Sequence, residues 1–171
     1  GRPAASGTRG RVSRIRKGIG GGAIRPRRLM GHSIFDLHLH SHCSDGSDAP
    51  AAVVRRAAEA GVKLLALTDH DTALGVPEAI AAGKAYGVLV LPGVELDTEF
   101  AEELHILGLG IDLVEPKLKA ALELMRCRRE VRNAKIVKML GAAGFDTAPY
   151  LPPSVGTVTR THIARALVAA G

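Results

Sequence analysis

Apolar and polar positions alternate with period two over residues 34–40, Ile-Phe-Asp-Leu-His-Leu-His, the pattern of a strand with one buried side. Phe35, Leu37 and Leu39 fall on one face, and Asp36, His38 and His40 on the other. A helix is predicted over 49–60, with Asp48 as N-cap, Pro50 in the first turn and Gly61 at the end. Residues 62–67 read as a second strand, and residues 77–86 as a helix stopped by Gly87. A third strand, 88–91, runs on through Pro92-Gly93 to Val94-Glu95, and 104–109 reads as a fourth. This strand–helix alternation predicts right-handed parallel units, hence an α/β sheet or barrel. Residues 115–140 have helical composition and an imperfect apolar stripe of Leu118, Leu122, Met125, Ile136 and Leu140, ended by Gly141 and Gly144. Residues 147–156 hold three prolines and a glycine and read as loop, and 161–170 as a short helix.

Charge divides the chain where the pattern does. Residues 1–31 carry nine Lys/Arg and no acid, residues 32–114 net −9, and residues 115–171 net +6. The first segment is rich in Gly, Arg, Pro and Ser without apolar period, which is the composition of a disordered tail. Residues 1–29 are expected to lie upstream of a start at Met30 rather than to serve as a nucleic-acid arm. An acidic part that carries histidines suits cations, and a basic part beside it suits an anionic substrate. The chain has no Trp and few aromatics, so small aliphatics must fill its core. It shows no transmembrane run and no secretory signal. Its two cysteines, Cys43 and Cys127, imply no disulfide framework, so a reducing cytoplasmic location is expected.

Six N- and O-donor residues sit on or just beyond the C-terminal ends of the predicted strands: His38, His40, Asp45, His70, Glu95 and His105. In parallel α/β folds that edge gathers residues distant in sequence. Each has a plainer reading. Asp45 in Ser44-Asp45-Gly46 could be a turn residue, His70 a loop residue, Glu95 a surface acid, and His105 a satisfied core histidine. Their common position favours the shared reading. Six donors exceed one tetrahedral ion and imply two or more, with Glu95 as the bridge. Imidazole with carboxylate favours Zn, Mn or Fe over Mg or Ca. Paired ions clamp a phosphoryl group and generate a hydroxide nucleophile near neutral pH. His32, His42 and His162 are given no metal role, and Cys43 is a bystander thiol.

The runs DLHLHSHCSDG (36–46), TDHD (68–71), GVE (93–95) and HILG (105–108) closely resemble the PHP family, named for polymerase and histidinol phosphatase. HIARALVAAG (162–171) resembles the inserted helical part of one bacterial branch, which comprises phosphoesterases of nucleoside 3′,5′-bisphosphates and of short RNA 5′ ends. The resemblance implies the N-terminal part of a distorted (β/α)7 barrel over 32–112, following the tail at 1–31, with a truncated helical insertion at 113–171. It implies two or three divalent ions. His38, His40 and Glu95 would hold one, Asp45 and His70 a second, and Glu95 with His105 a third. A metal-bound hydroxide would attack phosphorus. Asp36 matches the family's opening acid and would orient a ligand histidine. Arg128, Arg129, Arg132 and Arg160 would seat substrate phosphates.

The family pattern continues with a further His and an Asp-x-His pair, and nothing after His105 matches these. The chain is therefore expected to be an N-terminal part, poorly stable and inactive when made alone. The expected substrate is a small phosphorylated molecule, a nucleotide or short RNA, with no membrane or protein partner. Alternatives are a proofreading exonuclease domain of a DNA polymerase, a histidinol-phosphate phosphatase, a non-catalytic PHP-like scaffold, and a nucleic-acid binder acting through its basic tail.

Overall fold

The computed structural model describes residues 34–98, 104–152 and 156–171, so the basic segment 1–31 lies outside the described residues. Strand β1 is Phe35–Leu39 and helix α1 is Pro50–Glu59. They are followed by β2, Leu64–Leu67, α2, Val76–Tyr86, and β3, Leu89–Asp97. Then come β4, His105–Leu109, the long helix α3, Pro116–Ala142, and α4, Arg160–Ala169. The four described strands form one sheet in the order β1-β2-β3-β4.

The helices begin and stop for local reasons. Pro50 opens α1, where its missing N–H costs nothing, and Gly61 takes the left-handed φ of 89° just after its end. Gly87 does the same for α2 at φ 69°. The N-cap of α1 is Ala49 and not Asp48. The Asp48 carboxylate instead pairs with Arg56 Nη1 at 2.5 Å, in the second turn of the helix. Spacings of four and three place Pro50, Val54 and Ala57 on the buried side of α1.

That face packs with Leu65 and Leu67 of β2, Ala79 and Ala82 of α2, and Val88 and Val90 at the start of β3. Leu65, Ala66 and Leu67 are all buried, as expected of a parallel strand covered on both faces. Gly83 lets α2 lie close on β3, because a Cβ there would stand 2.5 Å from the Val88 carbonyl oxygen.

The sheet is not parallel throughout. β1 pairs with β2 and β2 with β3 in parallel, but β3 and β4 are antiparallel, with Glu95 opposite Leu107 and Asp97 opposite His105. No helix separates β3 from β4 in the described residues, so the chain returns as a hairpin rather than by a crossover. β3 is long enough to use its first half against β2 and its second against β4.

α3 also differs from expectation. It runs past Gly141, and its fully buried residues are Arg129 and Asn133, while the five apolar stripe residues are only half-buried. Asn133 Nδ2 donates to the Val158 carbonyl at 2.7 Å, fixing the segment that leads into α4. Among its described residues, the loop expected over 147–156 contains a 3-10 turn, Ala148–Tyr150. His162 accepts from the Thr159 N–H at 3.1 Å and caps α4. No described helix is long and apolar enough to cross a membrane, and Cys43 and Cys127 are unpaired.

Candidate metal centre

Glu95 stands at the middle of the site. It lies where β3 leaves β2 and takes up β4, and its side chain is 4% exposed. Its Oε2 is 2.9 Å from His38 Nε2, 2.9 Å from His40 Nε2 and 3.6 Å from His70 Nε2. Its Oε1 is 2.7 Å from His105 Nδ1. The other ring nitrogen of His40 lies 2.8 Å from Asp45 Oδ1, and Asp45 Oδ2 is 3.6 Å from His70 Nε2. All six residues expected from sequence therefore come together.

Strand alternation and sheet order bring this about. His38 and His40 share a face at the end of β1, and His70 follows β2, held in a single bridge to Glu95. The loop carrying Asp45 is shaped by Asp69. Its Oδ1 accepts from the Ser41 N–H at 2.7 Å and the Ser44 hydroxyl at 2.6 Å, and its Oδ2 from the Ser41 hydroxyl at 2.7 Å. Gly46 is required in that loop, since a Cβ would lie 2.5 Å from the His40 carbonyl oxygen.

The electrostatics follow from the crowding. The His40 hydrogen bond and the nearby His70 lower the Asp45 pKa to about 2, against the effect of burial. Burial opposes ionisation of Glu95, yet hydrogen bonds from His38 and His105 and the charge of His70 hold it below the ordinary carboxylate range. Burial likewise opposes charge on the His40 ring, but Asp45, Glu95 and Asp69 outweigh it and raise its pKa. His40 faces a carboxylate oxygen at each ring nitrogen, and a neutral imidazole can donate to only one of them, so a second proton or a cation is needed at the other.

Divalent ions fit that requirement. Three overlapping groups, His38–His40–Glu95, His40–Asp45–His70 and His70–Glu95–His105, each hold their ligand atoms within 4.8 Å of one another. Two donors on one tetrahedral ion, with bonds of about 2.1 Å, stand about 3.4 Å apart. The separations from Glu95 Oε2, 2.9 to 3.6 Å, span that value.

Asp36 does not join these groups. Pairing of β1 with β2 slips by one residue between Asp36 and Leu39. The Asp36 carboxylate accepts from the His38 backbone N–H at 3.4 Å, so it meets main chain and not the imidazole it was expected to orient.

Beside the histidines opens a cleft of about 640 Å³, lined by Asp71, Asp97 and all four candidate arginines, Arg128, Arg129, Arg132 and Arg160. They are not equivalent. The Arg129 side chain is 5% exposed and held between Asp71 and Asp97. Arg132 donates from Nη2 to Asn133 Oδ1 at 3.2 Å, while its Nε is buried without a hydrogen-bond partner among the described residues. Burial and the neighbouring Arg129 lower the Arg132 pKa.

Three acids of the site went unassigned from sequence: Asp69, Asp71 and Asp97. Asp97 accepts from His70 Nδ1 at 2.8 Å. Burial opposes its ionisation, but His70 and Arg129 hold its carboxyl well below the usual range. It lies two residues beyond Glu95 on one strand, and that spacing is the signal that could have found it.

The chain matches the PHP domain profile over residues 36–150. It is 42% identical over 142 residues to a 5′-3′ exoribonuclease of Haemophilus influenzae, covering 80% of this chain and 51% of that protein. It is 43% identical over 142 residues to a 3′,5′-nucleoside bisphosphate phosphatase of Chromobacterium violaceum, covering 80% of this chain and 50% of that one. It is similar to the solved structure of a C. violaceum amidohydrolase with sulfate bound and no metal, at a TM-score of 0.74 and 40% identity, over 81% of this chain and 51% of that chain. The chain thus spans about half the length of these relatives, and its four described strands form an α/β half-barrel. By its sequence profile, fold and relatives, this chain belongs to the PHP family.

Proposed function

We propose that this chain supplies the N-terminal half of the active site of a metal-dependent phosphoesterase, acting on phosphate esters of nucleotides or on short RNA 5′ ends. One observation carries the reading: three imidazole Nε2 atoms converge within 3.6 Å of a single buried oxygen, Glu95 Oε2. Such a cluster beside a cleft lined by four arginines pairs a cation site with an anion site. The names of the two curated relatives, an exoribonuclease and a nucleoside bisphosphate phosphatase, support the substrate class.

His38, His40 and Glu95 would hold one ion, Asp45 and His70 a second, and Glu95 with His105 a third. Bound there, divalent ions would polarise a phosphoryl oxygen and lower the pKa of water. The protein's own side chains do the rest. Asp45 holds the His40 ring, and Asp97 the His70 ring, each by a 2.8 Å contact to Nδ1. Arg128, Arg132 and Arg160 line the cleft where substrate phosphates would be neutralised.

Phosphate release from a nucleoside 3′,5′-bisphosphate, and nucleotide release from a 5′-phosphorylated short RNA, test the reading on the full-length protein supplied with Mn²⁺ or Zn²⁺. The expected result is turnover above a chelator-treated control, with a raised KM in Arg128→Ala and Arg160→Ala. Absence of turnover on both substrates would overturn it.

A further inference from the structure

We propose that Arg129, carried by α3, is a positioning residue that sets the orientation and tautomer of His70 through Asp97. The inference rests on the reading of His70 as a metal ligand and adds how that ligand is held.

The geometry is a closed ring of contacts. Asp97 Oδ1 is 2.8 Å from His70 Nδ1, and Asp97 Oδ2 is 2.6 Å from Arg129 Nη2. The Arg129 Nε donates to Asp71 Oδ2 at 3.0 Å, and its Nη2 reaches the same oxygen. Asp71 Oδ1 in turn accepts from the Asp97 backbone N–H at 3.0 Å. The side chains of Arg129 and Asp71 are 5% and 3% exposed, so water does not compete for these contacts. Asp71 adopts φ 51°, the one positive φ outside glycine among the described residues, and its N–H donates to the Glu95 carbonyl at 2.8 Å. The acid bracing Arg129 is thus itself fixed to the strand that carries Glu95 and Asp97.

The chemistry follows from donor and acceptor roles. An ionised carboxylate only accepts, so His70 Nδ1 carries a proton, and in the neutral ring Nε2 keeps its lone pair. That lone pair faces Asp45 Oδ2 and Glu95 Oε2, each 3.6 Å away, where a cation would sit. Asp97 Oδ1 also lies 3.7 Å from His105 Nε2, so an unrestrained Asp97 has a second ring to turn toward. Arg129 holds the other carboxylate oxygen and prevents that rotation. A guanidinium can bridge two acids in fixed geometry, which an ammonium cannot. Docking of α3 and presentation of His70 are therefore one event.

The test uses two readouts. Long-range ¹⁵N–¹H correlation of the imidazoles in metal-free protein at mildly alkaline pH reports the His70 tautomer. Calorimetric titration with Zn²⁺ reports cation affinity. In the unaltered protein His70 should be the Nδ1–H tautomer. Arg129→Met should give a tautomer mixture and a loss of roughly 10- to 100-fold in affinity, the range typical when the partner of a ligand histidine is removed. Arg129→Lys should recover only part of it. A folded Arg129→Met protein with the Nδ1–H tautomer and unchanged affinity would overturn the proposal. Should Arg129→Met not fold, Arg129→Lys decides: full retention of both readouts refutes positioning, and partial loss supports it. If the unaltered protein binds no cation, the metal reading fails, while the tautomer still tests the role of Arg129.

Discussion

Glu95→Gln exchanges one carboxylate oxygen for an amide nitrogen and leaves the side-chain volume almost unchanged. At present Oε2 serves His38 and His40 at 2.9 Å and Oε1 serves His105 at 2.7 Å, all with the side chain 4% exposed. The amide keeps one acceptor and turns a donor on the other side, so at least one ring loses its partner. A cation loses more. Two unit charges 4 Å apart interact by about 4 kcal/mol at an effective dielectric of 20. Taking only half of that, about 2 kcal/mol, to allow for relaxation and water, the loss is about 30-fold in affinity at 1.4 kcal/mol per factor of ten. Because Glu95 belongs to two of the three ligand groups, stoichiometry should fall as well. Titration calorimetry with Zn²⁺ or Mn²⁺ measures both, with Asp112→Asn, at an exposed position, as control. If Glu95→Gln binds within threefold of the unaltered protein and with the same stoichiometry, the convergence on this carboxylate is not a cation site.

Three further outcomes are expected. In metal-free protein the Asp45 pKa of about 2 lies under its ordinary 3.8, so its contribution is complete above that value and is lost as pH falls through 2. His40 is raised above 6.5, so its contribution is present below that value and fades as pH rises through the folded pKa. Urea melts across pH should therefore lose about 1–2 kcal/mol on the acid side, and Asp45→Asn should remove that limb. Leu65→Ala, at a position with no exposed surface, should cost about 2–5 kcal/mol in the same assay. Gly83→Ala, which in an open helix would stabilise by about 1 kcal/mol, should here destabilise by about 1–3 kcal/mol, because its Cβ would meet Val88 and Val90 at 2.5 and 2.6 Å. A raised urea midpoint for Gly83→Ala would show that α2 can shift off β3.

The features legible in the sequence were those governed by short-range geometry. Period-two alternation put His38 and His40 on one face, and Gly61 and Gly87 marked the left-handed ends of their helices. Strand-end positions pointed to the six residues that come together. What escaped depends on distant partners. Periodicity carries no sign of strand direction, so the antiparallel β4 was legible only from the short separation of Asp97 and His105, too few residues for a crossover helix. Asp48 is a good cap by residue type, but Arg56 offered its carboxylate a charged partner. An apolar stripe was sought on α3, yet the helix buries Arg129 and Asn133, because the surface it meets is a polar site and not a core. Asp97 looked like any acid at the end of a strand until His70 and Arg129 were placed against it.

The Asp69 carboxylate has a bearing on how this molecule comes into being. It gathers the Ser41 N–H and the Ser41 and Ser44 hydroxyls from 25 to 28 residues away. An isolated peptide of residues 34–61 contains His38, His40 and Asp45 but lacks the acceptor that shapes their loop. Tight ion capture must then await arrival of the second strand. The ion would report completed long-range assembly, and could not act as the seed around which the chain first organises.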